Sequence, residues 1–360
     1  GQKGLLVATP VLAGALLRVL AGALVDHFGP RRVAIGAQIL VIAGLSLTWL
    51  IAPHSYGALF GVALVLGVAG ASFAIALPLV SAWYPPQYQG TALGIAGAGN
   101  SGTALASLFA PGLAVLYGWV NVLGLATLPL TAVLVAFVFL ASEPPQRRSG
   151  GGLVTWLPVL RSGGCWLLMF FYGVTFGGFV GLAAFLTIYF NDQYGLPPAL
   201  AGSCTAMVVF VGSFVRPLGG AMADRIGGAR ALRILFGLAV VIFAMIGFGL
   251  PTIWFAFPAF FLGMVVLGLG NGAVFQLVPT RFPGRVGVLT GLVGMSGGVG
   301  GFYLASSLGA ARQATGSYGP GFLGFAMVAL VAFVCAGVCH RRWAAERPRL
   351  SAEADAALPS

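Results

Sequence analysis

Acidic side chains are scarce in this chain: its 360 residues include only seven Asp and Glu, against 18 Lys and Arg. Charged residues of both signs make up 7% of the sequence and apolar residues 59%. A water-soluble globular protein has a charged share of about 25%, and it could not enclose so much apolar surface. The composition therefore excludes a soluble domain and predicts an integral membrane protein.

Side chains that bind metals or catalyse reactions are also few. The three histidines, His27, His54 and His340, lie at the ends of apolar runs, and the four cysteines, Cys165, Cys204, Cys335 and Cys339, lie within them. Cys335 and Cys339 would share a helix face, but no third or fourth ligand lies near them, so we interpret the cysteines as small apolar filler. We predict no metal, no cofactor and no enzymatic centre at membrane depth.

Apolar runs long enough to cross a bilayer occur eleven times, given that about 20 residues at 1.5 Å each span the hydrocarbon. They lie near 5–25, 33–52, 57–81, 90–116, 120–141, 164–190, 198–222, 231–250, 253–279, 286–310 and 319–340. We predict an all-α polytopic membrane protein. Its domains are an N-terminal bundle at 1–141, a cytoplasmic linker at 142–163, a six-helix C-terminal bundle at 164–340 and a cytoplasmic tail at 341–360.

One stretch of the chain occurs twice. Sliding the sequence by 198 residues aligns Arg18 with Arg216, and nine of the 22 positions from 11 to 32 are then identical. In each copy an apolar run containing one arginine ends in Gly-Ala-x-x-Asp-x-x-Gly and a further arginine. The positions of this turn that we single out are Gly22, Asp26, Gly29 and Arg32 in the first copy, and Asp224 and Arg230 in the second.

The repeat also explains the odd number of runs. The second copy is preceded by the run at 164–190, and the equivalent of that run would fall before Gly1. The chain also lacks an initiator Met. We expect that the first of twelve transmembrane helices is missing from this sequence, so that five of six helices of the N-terminal bundle are present.

Basic residues indicate the orientation in the membrane. Fourteen arginines lie at one set of alternating span ends, whereas the other set has only Lys3 and Arg312. By the positive-inside rule, the repeated turns, the linker and the C-terminus are cytoplasmic. The net charge of +11 is then a signal of topology, and we predict no nucleic-acid partner. We expect a monomer in the inner cell membrane.

The two repeated arginines are the only permanent charges predicted at membrane depth. The seven carboxylates all fall in turns, loops or the tail. Arg18 precedes Asp26 by eight residues, or about 12 Å of helix, which places it near the middle of a hydrocarbon layer about 30 Å thick. Such a pair at a repeat interface is typical of an anion site. In the alternative interpretation, each arginine only binds backbone carbonyls at a helix break.

The repeated turn resembles the loop motif of the major facilitator superfamily, which joins the second and third helices there. Its second copy, from Arg216 to Gly228, looks specifically like that of the nitrate/nitrite porters (NarK-type). The glycine-rich stretches Gly97–Ala104 and Gly291–Gly301 are similar to the paired nitrate signatures of that family, and Gly268–Pro279 is also similar to a family segment. The resemblance extends over the whole chain and implies two pseudo-symmetric helix bundles.

The resemblance also implies a substrate site. It assigns anion binding to Arg18 and Arg216, aromatic cover to Phe73 and Phe176, and hydrogen bonding to Tyr172 and Asn100. Tyr172 and Phe176 are four residues apart and share a helix face; for Phe73, simple packing is an equally good interpretation. The signature glycines are Gly97, Gly99, Gly102, Gly294, Gly297 and Gly298. We expect them mainly to allow close helix packing.

The residue types suit nitrate and nitrite, because a planar guanidinium binds two coplanar oxygens at once. Two like charges without a membrane carboxylate favour obligatory nitrate/nitrite exchange by alternating access. Proton-linked nitrate symport and exchange of another small anion are the alternatives within this class. An exporter of organic cations would need a buried acid, which the sequence lacks, and the sequence leaves a non-transporting sensor open.

Overall fold

The fold consists of long α-helices connected by short turns. In this computed structural model the described residues are 2–53, 55–83, 96–97, 99–143, 159–282 and 286–356. A 3-10 helix lies at Gly99–Ser101, and no β-strand occurs within these ranges. The α-helices are α1 Gln2–Phe28, α2 Pro30–Ile51, α3 Tyr56–Trp83, α4 Gly102–Tyr117, α5 Trp119–Leu140, α6 Gly163–Tyr194, α7 Pro198–Phe214, α8 Arg216–Ile226, α9 Gly228–Gly247, α10 Ile253–Arg281, α11 Val286–Thr315 and α12 Gly319–Ala356.

Two of these helices are pieces of one span. The helix is interrupted at Val215, between α7 and α8. Pro217 explains the break, because it has no backbone N–H and its ring clashes with the carbonyl of the residue four positions earlier. The first copy of the repeat has no proline at the matching position, and α1 runs unbroken through Arg18. The second arginine therefore lies at a helix start and the first in a helix interior.

The helices agree with the predicted all-α membrane fold. Counting α7 and α8 together, the helices named above form eleven segments that follow one another in the predicted order. Eight segments within the described ranges are long and apolar enough to cross a membrane. Large apolar side chains such as Leu50, Phe139 and Trp254 are exposed on them, as expected for surfaces in contact with lipid. The prediction of a multi-pass membrane protein is confirmed.

The predicted domain boundaries remain a prediction. Helices α1–α5 fall within the predicted N-terminal bundle and α7–α12 begin within the C-terminal one, whereas α6 begins at Gly163, the last residue of the predicted linker. Residues 144–158 of the predicted linker lie outside the described part of the chain. Helix α12 continues to Ala356, so the segment that was predicted as a tail is helical up to that residue.

The internal repeat is visible in the packing of the helices. A methyl group added to Gly14 on α1 would lie 3.0 Å from the Cα of Gly70 on α3. The residues 198 positions later are Gly212 on α7 and Gly268 on α10, and a methyl group on Gly268 would collide with the Gly212 carbonyl. The same pair of glycines thus joins corresponding helices in both halves, directly beside each arginine.

Two helix pairs join the halves. Helix α1 packs against α11, and α4 packs against α7. A shift by the repeat carries α1 onto α7–α8 and α4 onto α11, so the two contacts are related by the same pseudo-symmetry. Small residues permit both approaches: Gly298 is close to Ala15 in the first pair, and Gly202 is close to Ser107 in the second.

Candidate functional site

Arg18 lies in the interior of the protein, with 9% of its surface exposed. Its Nη1 donates a hydrogen bond to the Gly294 carbonyl of α11. Its Nε and Nη2 lie 3.4 and 3.3 Å from the Gly70 carbonyl of α3. The guanidinium is therefore held by backbone oxygens, as the alternative interpretation expects, although it lies in an unbroken helix. Carbonyls accept hydrogen bonds but do not neutralise the charge.

Arg216 is equally buried, with 7% exposure, but it is bonded less fully. Its Nη1 makes one long hydrogen bond, of 3.5 Å, to the carbonyl of Gly97. Its Nε and Nη2 have no hydrogen-bond partner among the described residues. Buried donors without partners are costly. Arg216 is thus the arginine with unused binding capacity.

The two arginines meet at one aromatic ring. The guanidinium carbon of Arg18 lies 5.8 Å from the centroid of Phe176, and that of Arg216 lies 5.2 Å from the same centroid. The two carbons can therefore be no further apart than these two distances combined. Phe73 lies 5.6 Å from the Arg18 carbon and 6.2 Å from the Phe176 centroid, nearly parallel to that ring. The structure brings all four predicted residues together.

Tyr172 extends the aromatic stack. Its ring lies 4.9 Å from that of Phe176 at an angle of 9°, as expected for residues one turn apart on α6. The side chain is buried, yet its hydroxyl has no hydrogen-bond partner in the described part of the chain. A buried phenol normally has one. Tyr172 therefore places a free hydroxyl beside the ring that both arginines share.

Asn100 lies in the 3-10 helix and is joined to Arg216 through a shared acceptor. Its Nδ2 donates a 3.0 Å hydrogen bond to the Gly97 carbonyl, the oxygen that Arg216 also contacts. Asn100 is partly buried. It thus lies close to the second arginine, and its role as a hydrogen-bond donor to an anion stays a prediction.

Two further aromatic residues at the site were not predicted. The guanidinium carbon of Arg216 lies 4.5 Å from the ring centroid of Phe179, and Phe275 of α10 packs edge-on against Tyr172 at 4.9 Å. Phe179 follows Phe176 by three residues, so it lies on the same face of α6. This spacing could have predicted that Phe179 belongs to the site. For Phe275, which belongs to a different helix, the only signal was its place in a family-like segment.

The signature glycines fall into three groups. Gly97 and Gly294 supply the carbonyls that accept hydrogen bonds from Arg216 and Arg18. Gly297 and Gly298 allow close packing, since a methyl group on Gly297 would lie 2.5 Å from Phe176 and one on Gly298 would meet Ala15. Gly99 and Gly102 have no neighbour within 4 Å of an added methyl group, so packing does not explain them.

The repeated turns have the same backbone shape in both halves. Gly29 and Gly227 have φ angles of +89° and +86°, a conformation that favours glycine. Glu143 lies beside Gly29.

The other predicted residues of these turns are less buried than the two arginines of the site. Gly22 is partly buried, whereas Arg32, Asp224 and Arg230 are exposed. The side chain of Asp26 lies outside the described part of the structure.

No described carboxylate lies beside either of the two arginines. No carboxylate of a described side chain forms a salt bridge with Arg18 or Arg216; the ion pair of Arg312 with Asp192, at 3.0 Å, lies at the other end of the bundle from the turns. The site therefore contains two cations, aromatic rings and neutral hydrogen-bonding groups. Such a set can bind a small anion, because no described group in it compensates the charge.

Comparison with known proteins identifies the family. The model of the family described as Major Facilitator Superfamily matches residues 1–305. The chain belongs to the major facilitator superfamily. The predicted resemblance is thereby confirmed, and membership makes the chain a membrane transporter rather than an enzyme.

Relatives within the superfamily support the narrower resemblance to the nitrate/nitrite porters. The chain is 34% identical over 335 residues to the "Nitrite extrusion protein" of Bacillus subtilis, covering 93% of this chain and 84% of that protein. It is 34% identical over 341 residues to the "Probable nitrate/nitrite transporter NarK2" of Mycobacterium tuberculosis, with coverage of 92% and 85%. It is 32% identical over 367 residues to the "Probable nitrate/nitrite antiporter NarK1" of Thermus thermophilus, with coverage of 92% and 82%.

Solved structures of the superfamily share the fold. A crystallised mutant of the nucleoside transporter NupG has a TM-score of 0.67 at 14% identity, covering 94% of this chain and 90% of that one. A crystallised mutant of the E. coli fucose:proton symporter FucP has a TM-score of 0.66 at 16% identity, with the same coverage. These similarities support the superfamily fold of two helix bundles.

Proposed function

We propose that this transporter exchanges nitrate for nitrite by alternating access, with the anion held between Arg18 and Arg216. The observation that carries the proposal is that both guanidiniums face the same ring, that of Phe176, without a carboxylate beside either among the described side chains. The names of the relatives give the substrate class: each is called a transporter, antiporter or extrusion protein of nitrate or nitrite.

The shapes of the groups favour a small planar anion. A guanidinium is flat and presents its donors as a fork, so two coplanar oxygens can accept at once. The rings of Phe73, Phe176 and Tyr172 stack beside the guanidiniums. A planar anion can lie flat against such ring faces, whereas a tetrahedral anion such as phosphate or sulfate cannot.

Simple electrostatics indicates that the anion favours closure of the site. At an effective dielectric constant of about 20, a unit anion about 4 Å from each arginine gains about 4 kcal/mol from each of them. The two arginines, about twice as far apart, repel each other by about 2 kcal/mol. The attraction therefore exceeds the repulsion, and part of the difference offsets the desolvation of the anion. Without an anion only the repulsion is left.

The difference in energy between the loaded and the empty site favours exchange over net transport. A carrier that closes readily only when loaded must return with another anion, which is the property of an antiporter. Proton symport would need a group that takes up a proton on the path, and the described residues around the arginines are aromatic, amide or hydroxyl groups. In this proposal the protein is a monomer of the inner membrane, with the repeated turns and the C-terminus in the cytoplasm.

Counterflow in proteoliposomes tests the proposal. Vesicles loaded with unlabelled nitrite should accumulate labelled nitrate, and empty vesicles should not, at equal pH on both sides. Uptake into empty vesicles that follows an imposed pH gradient would show that the carrier is a proton symporter instead. Labelled chloride and sulfate serve as competitors, and we expect neither to inhibit exchange at concentrations where nitrite does.

A further inference from the structure

Asn271 on α10 is a buried polar residue that has no role in the proposed function. It is 1% exposed, and neither its amide nitrogen nor its amide oxygen has a hydrogen-bond partner among the described residues. A fully buried amide without partners costs several kcal/mol in an apolar medium. A ligand bound beside Asn271 would supply the missing bonds.

The helical geometry of α10 directs this side chain toward the site. The preceding residue, Gly270, faces α6, where an added methyl group would lie 2.5 Å from Thr175. The following residue, Gly272, faces the backbone of Arg216 on α8. Successive residues point about 100° apart around a helix, so Asn271 points about 100° from each of these two directions, on a side of α10 that the next turn of the helix identifies.

The residue one turn later agrees with this direction. Phe275 lies four positions after Asn271 and so shares its stripe on α10. The Phe275 ring packs edge-on against Tyr172 at 4.9 Å. The stripe therefore faces the part of α6 that carries the aromatic stack.

The internal repeat gives independent support. Asn271 follows Phe73 by the repeat distance of 198 residues, and the glycines Gly70 and Gly268, three residues before each, make equivalent contacts. Phe73 lies 5.6 Å from the guanidinium carbon of Arg18. The equivalent position beside Arg216 is thus occupied by an amide instead of a ring.

The groups without hydrogen-bond partners around the site, within the described part of the chain, all belong to the C-terminal half. They are Nε and Nη2 of Arg216, the Tyr172 hydroxyl, the Thr175 hydroxyl and the Asn271 amide. On the other side, Arg18 already donates to two carbonyls. The free binding capacity is therefore concentrated beside Arg216.

We infer that Asn271 is a further anion-binding residue, whose amide N–H groups donate to an oxyanion bound on Arg216. This inference rests on the proposed function and refines it. The C-terminal half supplies the polar contacts that orient the oxygens of the anion, and the N-terminal half supplies Arg18 and an aromatic cover. A halide has no set of fixed oxygens to orient and gains less from the amide.

Asn271→Asp tests the inference, because it keeps the shape of the side chain but replaces the donor by a negative charge. Beside Arg216 the new carboxylate forms an ion pair. We expect the purified variant without nitrate to melt at a higher temperature than the wild type, and nitrate to stabilise it no further. A carboxylate buried away from Arg216 would lower the melting temperature, and that result would overturn the inference.

Asn271→Ala and Asn271→Ser provide a second measurement. We expect the half-saturating nitrate concentration for exchange to rise at least tenfold in the alanine variant and to recover partly in the serine variant, with similar maximal rates. Asn121→Ala is the control, since Asn121 is exposed and bonds to Trp49 at a helix end. Half-saturation within twofold of wild type in Asn271→Ala would overturn the inference.

These outcomes separate the inference from the proposed function. If the wild type exchanges nitrate and Arg216→Lys does not, while all Asn271 variants behave as wild type, only the inference fails. If the wild type neither binds nor exchanges nitrate, the proposed function fails, and the melting temperature of Asn271→Asp still decides whether Asn271 lies beside Arg216.

Discussion

Arg18 and Arg216 each donate a hydrogen bond to a glycine carbonyl that belongs to the opposite half of the repeat. Arg18 on α1 bonds to Gly294 on α11, and Arg216 on α8 contacts Gly97, which precedes α4. The two acceptors occupy nearly equivalent places, since they are 197 residues apart and the arginines are 198 apart. Each arginine therefore connects the two halves, and the glycine signatures supply the acceptors.

Replacing either central arginine by lysine should abolish exchange. Lysine keeps the charge but cannot bind two coplanar oxygens as a fork. We expect at least a hundredfold loss of nitrate counterflow in Arg18→Lys and in Arg216→Lys, or about 3 kcal/mol at 1.4 kcal/mol per factor of ten. Arg312→Lys is the control, because Arg312 is 39% exposed in its ion pair with Asp192. Wild-type counterflow in both site variants would contradict the proposed site.

The signature glycines allow a paired steric test. A methyl group on Gly297 would lie 2.5 Å from Phe176 and 2.9 Å from the Tyr172 ring, whereas one on Gly294 would meet only Nη1 of Arg18, at 3.9 Å. We expect Gly297→Ala to displace the stacked rings and reduce exchange more than tenfold. Gly294→Ala should keep most of the activity, because its carbonyl is unchanged. Equal rates in the two variants, at equal amounts in the membrane, would argue against this account of the stack.

The turn glycines should matter for stability rather than for binding. Gly29 and Gly227 have φ angles near +90° with ψ angles of 149° and 134°, where any other residue costs about 1–3 kcal/mol. We therefore expect Gly29→Ala and Gly227→Ala to lower the melting temperature of the purified protein. Gly36→Ala is the matched control, because Gly36 lies inside α2 with no neighbour within 4 Å. There the change should be neutral or slightly stabilising.

Alkaline pH should weaken the contact between Tyr318 and Asp192, at the end of the bundle opposite the turns at Gly29 and Gly227. Tyr318, between α11 and α12, donates a 2.7 Å hydrogen bond to Asp192. Burial first, and then this bond, raise the pKa of Tyr318 above its usual value. The folded state therefore holds this proton more tightly than the unfolded state does. Its contribution is complete below pH of about 10 and declines as the pH rises further.

Melting curves between about pH 8 and pH 11 test this contribution. We expect the wild type to lose more stability over this range than Tyr318→Phe, which lacks the ionisable group. Tyr117→Phe is the control, since Tyr117 is exposed, and it should follow the wild type. Parallel curves for wild type and Tyr318→Phe would contradict the expected sign.

Much of the fold could be predicted because membrane helices have a strong composition signal. Length and hydropathy predicted the order of eleven segments, and the offset of 198 residues predicted that Arg18 and Arg216 would be equivalent. The spacing of Tyr172 and Phe176 predicted that they share a helix face, and in the structure their rings stack. The break at Val215 could have been predicted from Pro217, which the second copy of the repeat has and the first lacks.

Other features of the site could not be read from the sequence. The Gly70 carbonyl that faces Arg18 is a backbone group, and backbone acceptors have no signature in residue type. Phe275 is one of 27 phenylalanines, and only the packing of α10 on α6 distinguishes it. Asn271 looks like an ordinary residue of a glycine-rich segment until its burial and its unpaired amide are seen.

The crossed hydrogen bonds of the two arginines have a consequence for the proposed exchange. The contacts of α1 with α11 and of α4 with α7 are related by the pseudo-symmetry of the repeat, so an opening of the site affects both contacts alike. Separation of the halves would weaken the hydrogen bond of each guanidinium to its glycine carbonyl. An anion and that peptide oxygen would then compete for the same N–H groups, so the ion that enters takes the place of a contact between the halves.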